Sequence, residues 1–135
     1  MINIKTRQVK LIDFGSMTEL HRGLTVKSFY GTKKFASPES LRGSYLPEFQ
    51  EVWALGTLFY VLLFKMDPFK NDDEIMQLDI SKRMDRILMY GINGQFVAVS
   101  NAAVQSLLRM LDKDWSKRPR ISSLPNLPIF NQKNT

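Results

Sequence analysis

The chain has 135 residues, 44% hydrophobic and 24% charged, which suits one globular domain with a core of its own. With no cysteine and a single histidine, His21, it excludes a disulfide framework, a thiolate metal site and a histidine-built zinc site. The net charge of +6 is uneven: residues 1–42 hold eight Lys/Arg against three Asp/Glu, and the remainder eleven against ten. A basic first third favours an anionic partner such as phosphate, nucleotide or an acidic peptide, or else is a solvated face.

Val9-Lys10-Leu11-Ile12 is a short β-prone run ending at Asp13-Phe14-Gly15. Read as a strand, it delivers a carboxylate to its C-terminal end, followed by a glycine that permits a sharp turn. Residues 16–34 show no sustained period. Their hydroxyls at Ser16, Thr18, Thr25, Ser28, Tyr30 and Thr32 mark a long surface loop. Pro38 then opens a short helix with Glu39 in its first turn, where the helix dipole favours an acid.

Pro47-Glu48 marks the start of a helix leading into Val52–Phe64, an uncharged run whose only non-apolar residues are Gly56 and Thr57. So long a run exceeds the usual strand, and a helix apolar all round is expected at the centre of the domain with no solvent face. It is too short to cross a bilayer, and no stretch reads as a signal peptide. A proline at 68 is expected to stop it near Asp67.

Asn71 is placed as the N-cap of an amphipathic helix, with Glu74 positioned for a capping box. Ile80, Met84, Ile87 and Leu88 continue its apolar stripe up to Gly91. Ser100 caps a further helix carrying Val104, Leu107, Leu108 and Leu111 on one face, with Lys113 near its end. Pro119 begins a last short helix that Pro125 and Pro128 close, and residues 131–135 read as a polar tail.

Four patterns stand in a fixed order: Asp13-Phe14-Gly15, Gly31-Thr32-x-x-Phe35-x-Ser37-Pro38-Glu39, Val52-Trp53-x-x-Gly56, and Asp114-x-x-x-Arg118-Pro119. Their order and spacing resemble the C-terminal lobe of a eukaryotic serine/threonine protein kinase, whose D-F-G and A-P-E signatures bracket an activation loop. The stretches V-K-L-I-D-F-G-S, S-L-R-G-S-Y and D-P-F-K-N-D-D-E-I look most similar to PAS-domain kinases. The resemblance implies a mainly α fold: helices around a central buried helix, with a short N-terminal β-strand. It also implies a partial kinase domain over residues 1–130.

The same resemblance implies roles for individual residues. Asp13 would be the Mg²⁺ ligand and Phe14 would pack inward. Phe14, Gly15, Thr25, Ser28 and Thr32 would belong to the activation segment. Gly31, Thr32 and Lys33 would line the groove for the residue after the phosphoacceptor. Glu39 would pair with Arg118, a bidentate match of carboxylate and guanidinium. Glu51, Trp53 and Gly56 would mark the central helix.

Three positions depart from the family pattern. Ser37 stands for the usual alanine, Glu51 for an aspartate bonded to the catalytic-loop backbone, and Trp115 for a common proline. Other parts have no counterpart in these 135 residues. There is no glycine-rich phosphate loop, no V-A-I-K lysine and no H-R-D-x-x-x-x-N catalytic loop. The expectation is therefore a serine/threonine kinase family member with no catalytic residue of its own in this chain, inactive in isolation. The competing reading is a non-catalytic helical docking module or a gene remnant acting through protein contacts. Mg²⁺ and ATP are the cofactors the resemblance implies. The expected partners are a protein substrate or a complementing kinase half, with neither nucleic acid nor membrane, in the cytoplasm or nucleus.

Overall fold

The computed structural model describes residues 1–19, 21 and 23–131. The polar tail expected at 131–135 lies outside the described residues beyond Asn131. The described residues form five α-helices: α1 (Pro38–Leu41), α2 (Pro47–Phe64), α3 (Asp72–Gln77), α4 (Ile80–Tyr90) and α5 (Asn101–Met110). Short 3₁₀ segments cover Lys33–Phe35, Trp115–Lys117 and Ile121–Asn126. None of these helices is long and apolar enough to cross a membrane.

The expected strand at Val9–Ile12 is not found. Val9 makes one isolated antiparallel bridge with Ile2, flanked by the Lys10 N–H to Met1 carbonyl bond and the Asn3 N–H to Gln8 carbonyl bond, both 2.9 Å. A strand needs a neighbour along its length, and here the segment pairs only with its own first residues.

Proline at its first turn sets α2 going, and the left-handed Lys65 (φ 57°) ends it by sending its N–H to the Val61 carbonyl. The stop thus comes before Asp67-Pro68. Around α2 gathers the core, with Trp53, Tyr60, Phe64, Phe69, Met84 and Leu107 almost wholly inaccessible. Each of the Phe, Met and Leu side chains among them contributes roughly 1.5–3 kcal/mol by leaving water. Trp53 stacks on Phe69 at 5.3 Å and 11° between planes. Gly56 lets α5 approach: a Cβ there would stand 2.9 Å from the Met110 Cβ and 3.0 Å from a Leu111 methyl.

The expectation that α2 has no solvent face is corrected. Leu55, Leu58 and Leu62 keep 46%, 45% and 57% of their surface exposed. They fall at i, i+3 and i+7, so the helix buries one side and leaves an apolar stripe on the other.

The single amphipathic helix expected from 72 to 91 is two. Asn71 caps α3 by accepting the Glu74 N–H at 2.9 Å, while Glu74 returns to the Lys70 N–H at 2.8 Å rather than to the cap itself. Asp79 then breaks the run by taking the Ser81 N–H at 3.0 Å and the Ser81 hydroxyl at 2.6 Å, which starts α4 afresh. Ser100 caps α5 through the Ala103 N–H at 3.2 Å. Lys113 does not serve α5. Its Nζ reaches back to the Glu74 and Ile75 carbonyls at 3.2 and 2.7 Å, and burial lowers its pKa. The last helix is a 3₁₀ stretch with Pro125 inside it, where no i→i−4 bond is demanded of the proline.

Candidate functional site

The residues assigned roles from the motifs fall into two groups. In the first, Asp13 sits in the left-handed region (φ 63°) and its Oδ1 accepts the Gly15 N–H at 3.3 Å. This is a local Asx turn at the surface. Phe14 is 60% exposed, so the expectation that it packs inward is corrected. Among the described residues no group of three or more His, Cys, Asp or Glu comes together. Mg²⁺ takes one or two protein carboxylates and completes its octahedron with water and substrate phosphates. Asp13 supplies one ligand of such a shell, and no acidic cluster among the described residues adds to it. The described residues by themselves do not fit a Mg²⁺ site at Asp13.

The loop that follows is pinned at its middle. Val26 and Tyr45 exchange both backbone bonds, at 2.8 and 3.0 Å, and the Tyr45 hydroxyl donates to the Ser28 carbonyl at 3.2 Å. Burial, with the Glu51 and Tyr30 charges adding to it, raises the Tyr45 pKa. Thr25, Ser28 and Thr32 lie exposed along this stretch. Gly31 (φ +146°) passes so close to Phe29 that a Cβ would meet the ring at 3.2 Å, in a conformation glycine alone takes without strain.

Lys33 begins the 3₁₀ turn and pairs with Asp72 at 3.2 Å, while Lys34 pairs with Asp67 at 3.2 Å. Both pairs are solvent-exposed, so each is worth only ~0–1 kcal/mol. Between the turn and α3 opens a shallow cleft of about 650 Å³, lined by Phe29, Gly31, Lys33, Leu41, Asp72 and Met76 among others.

Beyond the loop the second group is locked in place. Ser37 caps α1, its hydroxyl accepting the Ser40 N–H at 3.3 Å. Glu39 is 6% exposed and meets the Arg118 guanidinium through two bonds, 2.6 and 2.7 Å. Arg118 spends its other donors on the Asp112 carbonyl at 2.6 Å and the Phe49 carbonyl at 3.0 Å. Its plane also lies over the Trp53 ring, 4.9 Å from the centroid. A buried guanidinium with carboxylate, carbonyls and an aromatic face around it has its charge and donors answered.

Trp53 and Gly56 are buried in α2, whereas Glu51 is exposed. Trp115 stands against Phe49, ring centroids 5.2 Å apart, filling the flank of the same corner. Gln50 and Tyr45 hold the loop and were not singled out from the sequence. A signal did exist for Gln50. It lies one turn ahead of Trp53, at i−3, on the face of α2 that turns inward.

A family model for the protein kinase domain matches residues 1–130. The serine/threonine-protein kinase PSK2 of Saccharomyces cerevisiae is 36% identical over 117 residues, 86% of this chain and 10% of that protein. The serine/threonine-protein kinase ppk6 of Schizosaccharomyces pombe is 44% identical over 110 residues, 81% of this chain and 12% of that protein. A PAS domain-containing serine/threonine-protein kinase of Mus musculus is 41% identical over 70 residues, 51% of this chain and 5% of that protein. The chain therefore spans about a tenth of the length of the two yeast relatives.

Proposed function

The chain belongs to the protein kinase family, and we propose that it carries the activation segment and peptide-seating surface of a serine/threonine kinase. Kinases of this class use ATP and Mg²⁺. The bond from the terminal phosphorus to the leaving ADP oxygen breaks, a bond to a substrate Ser or Thr hydroxyl forms, and the hydroxyl proton passes to a base. In this reading residues 1–130 are part of a kinase domain, and residues 16–35 are the activation segment, preceded by Phe14 and Gly15, with Leu20 and Arg22 outside the described residues. Gly31, Thr32 and Lys33 line the groove beside the phosphoacceptor.

The observation that carries this reading is the buried tether of Glu39 to Arg118, 79 positions apart, which sets the end of that segment on α2. A loop held on a rigid helix beside an open cleft can seat an extended peptide. The motifs assign no residue of this chain to the base or to a phosphate cradle, and Asp13 alone does not hold Mg²⁺. We therefore assign peptide docking, and not turnover, to the isolated chain.

Two measurements test the reading. The purified chain, given labelled ATP and a degenerate peptide pool with a fixed central serine, is expected to incorporate no label above background. Turnover that disappears in Asp13→Ala would overturn the inactivity. The same pool, fluorescein-labelled, is expected to bind by anisotropy and to bind more weakly to Gly31→Val, where a β-branched side chain is strained and crowds the Phe29 ring. Absence of binding to the unaltered chain would overturn the docking role.

The apolar stripe on α2 favours a second reading, a non-catalytic docking module acting through protein contacts. Leu55, Leu58 and Leu62 form one wall of a groove completed by Met110, Leu127 and Phe130. In both readings the partners are proteins, a substrate or a complementing kinase half, and neither calls for nucleic acid or membrane.

A further inference from the structure

The restraints that act on the chain between Val26 and Glu39 differ in kind. Upstream, the Val26–Tyr45 bridge fixes residues 26–28. Downstream, Arg118 fixes Glu39 and with it α1. The stretch between contains only a three-residue 3₁₀ turn and the first residue of a four-residue helix. Neither is long enough to hold its own shape in water. The exposed Lys33–Asp72 and Lys34–Asp67 pairs restrain it weakly.

Gln50 supplies what is lacking. It is 4% exposed, in the first turns of α2. Its Oε1 accepts the Ser37 N–H at 2.8 Å and its Nε2 donates to the Phe35 carbonyl at 2.8 Å. The two bonds straddle Ala36, which is 0% exposed. We propose that Gln50 is the positioning residue that sets loop 31–36 on α2, and so sets the groove in which a substrate peptide lies; the second clause rests on the docking role proposed above.

The chemistry requires this side chain. One group must accept and donate at once, without charge, across two peptide units. Glutamate keeps the acceptor but loses the donor, methionine keeps the shape but loses both, and asparagine falls one methylene short. A neutral amide also avoids burying a second carboxylate beside the corner that already holds Glu39.

The test uses the full chain and two variants, Gln50→Met and Gln50→Glu, read by amide hydrogen exchange and backbone NMR. In Gln50→Met the Ser37 amide is expected to exchange about tenfold faster, the scale of one lost buried hydrogen bond. The Leu111 amide, bonded to Leu107 in the core, should keep its rate and so report that the fold persists. In Gln50→Glu the Ser37 amide should stay protected, while the Phe35 carbonyl resonance moves because its donor is gone. An unchanged Ser37 rate in Gln50→Met with Leu111 still protected would overturn the proposal. If that variant loses the Leu111 protection, an unmoved Phe35 resonance in Gln50→Glu overturns it instead.

The labelled serine-centred peptide pool gives the functional arm, with Kd expected to rise about threefold to tenfold in Gln50→Met. An unchanged Kd despite faster Ser37 exchange overturns the link from Gln50 to the groove. If the unaltered chain binds no peptide, the docking role falls, and the exchange data still decide whether Gln50 sets the loop.

Discussion

Two stretches of this chain carry equally recognisable motifs and have opposite structural fates. The described residues from Met1 to Thr25 are all exposed, and their hydrogen bonds run to near neighbours within that stretch. From Ala36 to Ser40 every residue is buried, and long-range bonds run to Gln50 and Arg118. The difference lies in where each motif finds its partners. Glu39 has its partner in the same chain, 79 positions away. Asp13 joins no cluster of three or more His, Cys, Asp or Glu among the described residues, and Phe14 stays 60% exposed. A motif is a list of residues, whereas a site is a list of residues with partners present.

Breaking the Glu39–Arg118 pair should give the largest effect and is the most direct way to destroy the contrast. Removing one partner strands a buried charge, which costs ~3–5 kcal/mol. Arg118→Met should cost more than Glu39→Gln, because it also leaves the Asp112 and Phe49 carbonyls without their donors. The double variant should cost clearly less than the two losses added, since the groups belong to one network. Urea midpoints with an unchanged m-value would measure this. Additive losses under about 1 kcal/mol would put the pair on the footing of an exposed ion pair and erase the difference between the two stretches.

The border between the stretches is Tyr45, and altering it sharpens the comparison. Tyr45→Phe removes the hydroxyl bond to the Ser28 carbonyl while keeping the ring near Phe29. The expected loss is about 0.5–1.5 kcal/mol, with faster amide exchange confined to residues 26–30. The pH dependence carries a sign. Burial raises the folded-state pKa of Tyr45 above its unfolded value, so its contribution is complete below the unfolded pKa. It is lost as pH rises through the folded one. Thermal melts from neutral pH upward should show the unaltered chain losing stability in the alkaline range, and Tyr45→Phe losing less of it. An identical alkaline slope in the two proteins would show that this phenol does not sense its burial.

What could be seen in advance follows the range of the interactions. Caps at Asn71 and Ser100 act over three residues and are written in the local sequence. Residue type alone shows α2 to be a helix, because an uncharged run of that length admits little else. Which side of α2 is covered depends on what packs there, and an all-apolar run hides that choice, so the exposure of Leu55, Leu58 and Leu62 was not legible. Asp79 falls inside the stretch whose periodicity reads as one helix, and its capture of Ser81 is a local competition that periodicity does not weigh. Glu39 and Arg118, 79 positions apart, are paired by no periodicity or composition, only by the family's motif pattern. Gln50 belongs to no motif, and its role exists only once Phe35 and Ser37 have been brought beside it.

The smallest expected effects lie in the first stretch, and their smallness is what the comparison predicts. Phe14→Ala should change stability by no more than about 0.5 kcal/mol, because a side chain already in water loses little when removed. Asp13 needs a gentler probe, since its φ of 63° would penalise alanine for reasons unrelated to charge. Asparagine tolerates that conformation, so Asp13→Asn removes the charge alone. Its melt should match that of the unaltered chain to within about 0.5 kcal/mol. Added Mg²⁺ offers a sharper version of the same question. A cation that binds the folded state stabilises it in proportion to ln(1 + [L]/Kd), so a weak single-carboxylate site gives no shift in Tm at millimolar concentration. A Mg²⁺-dependent rise that vanishes in Asp13→Asn would mean that Asp13 does gather further ligands in solution. A loss above about 2 kcal/mol in Phe14→Ala would mean that Phe14 finds a pocket. Either result would move the first stretch into the same class as the second.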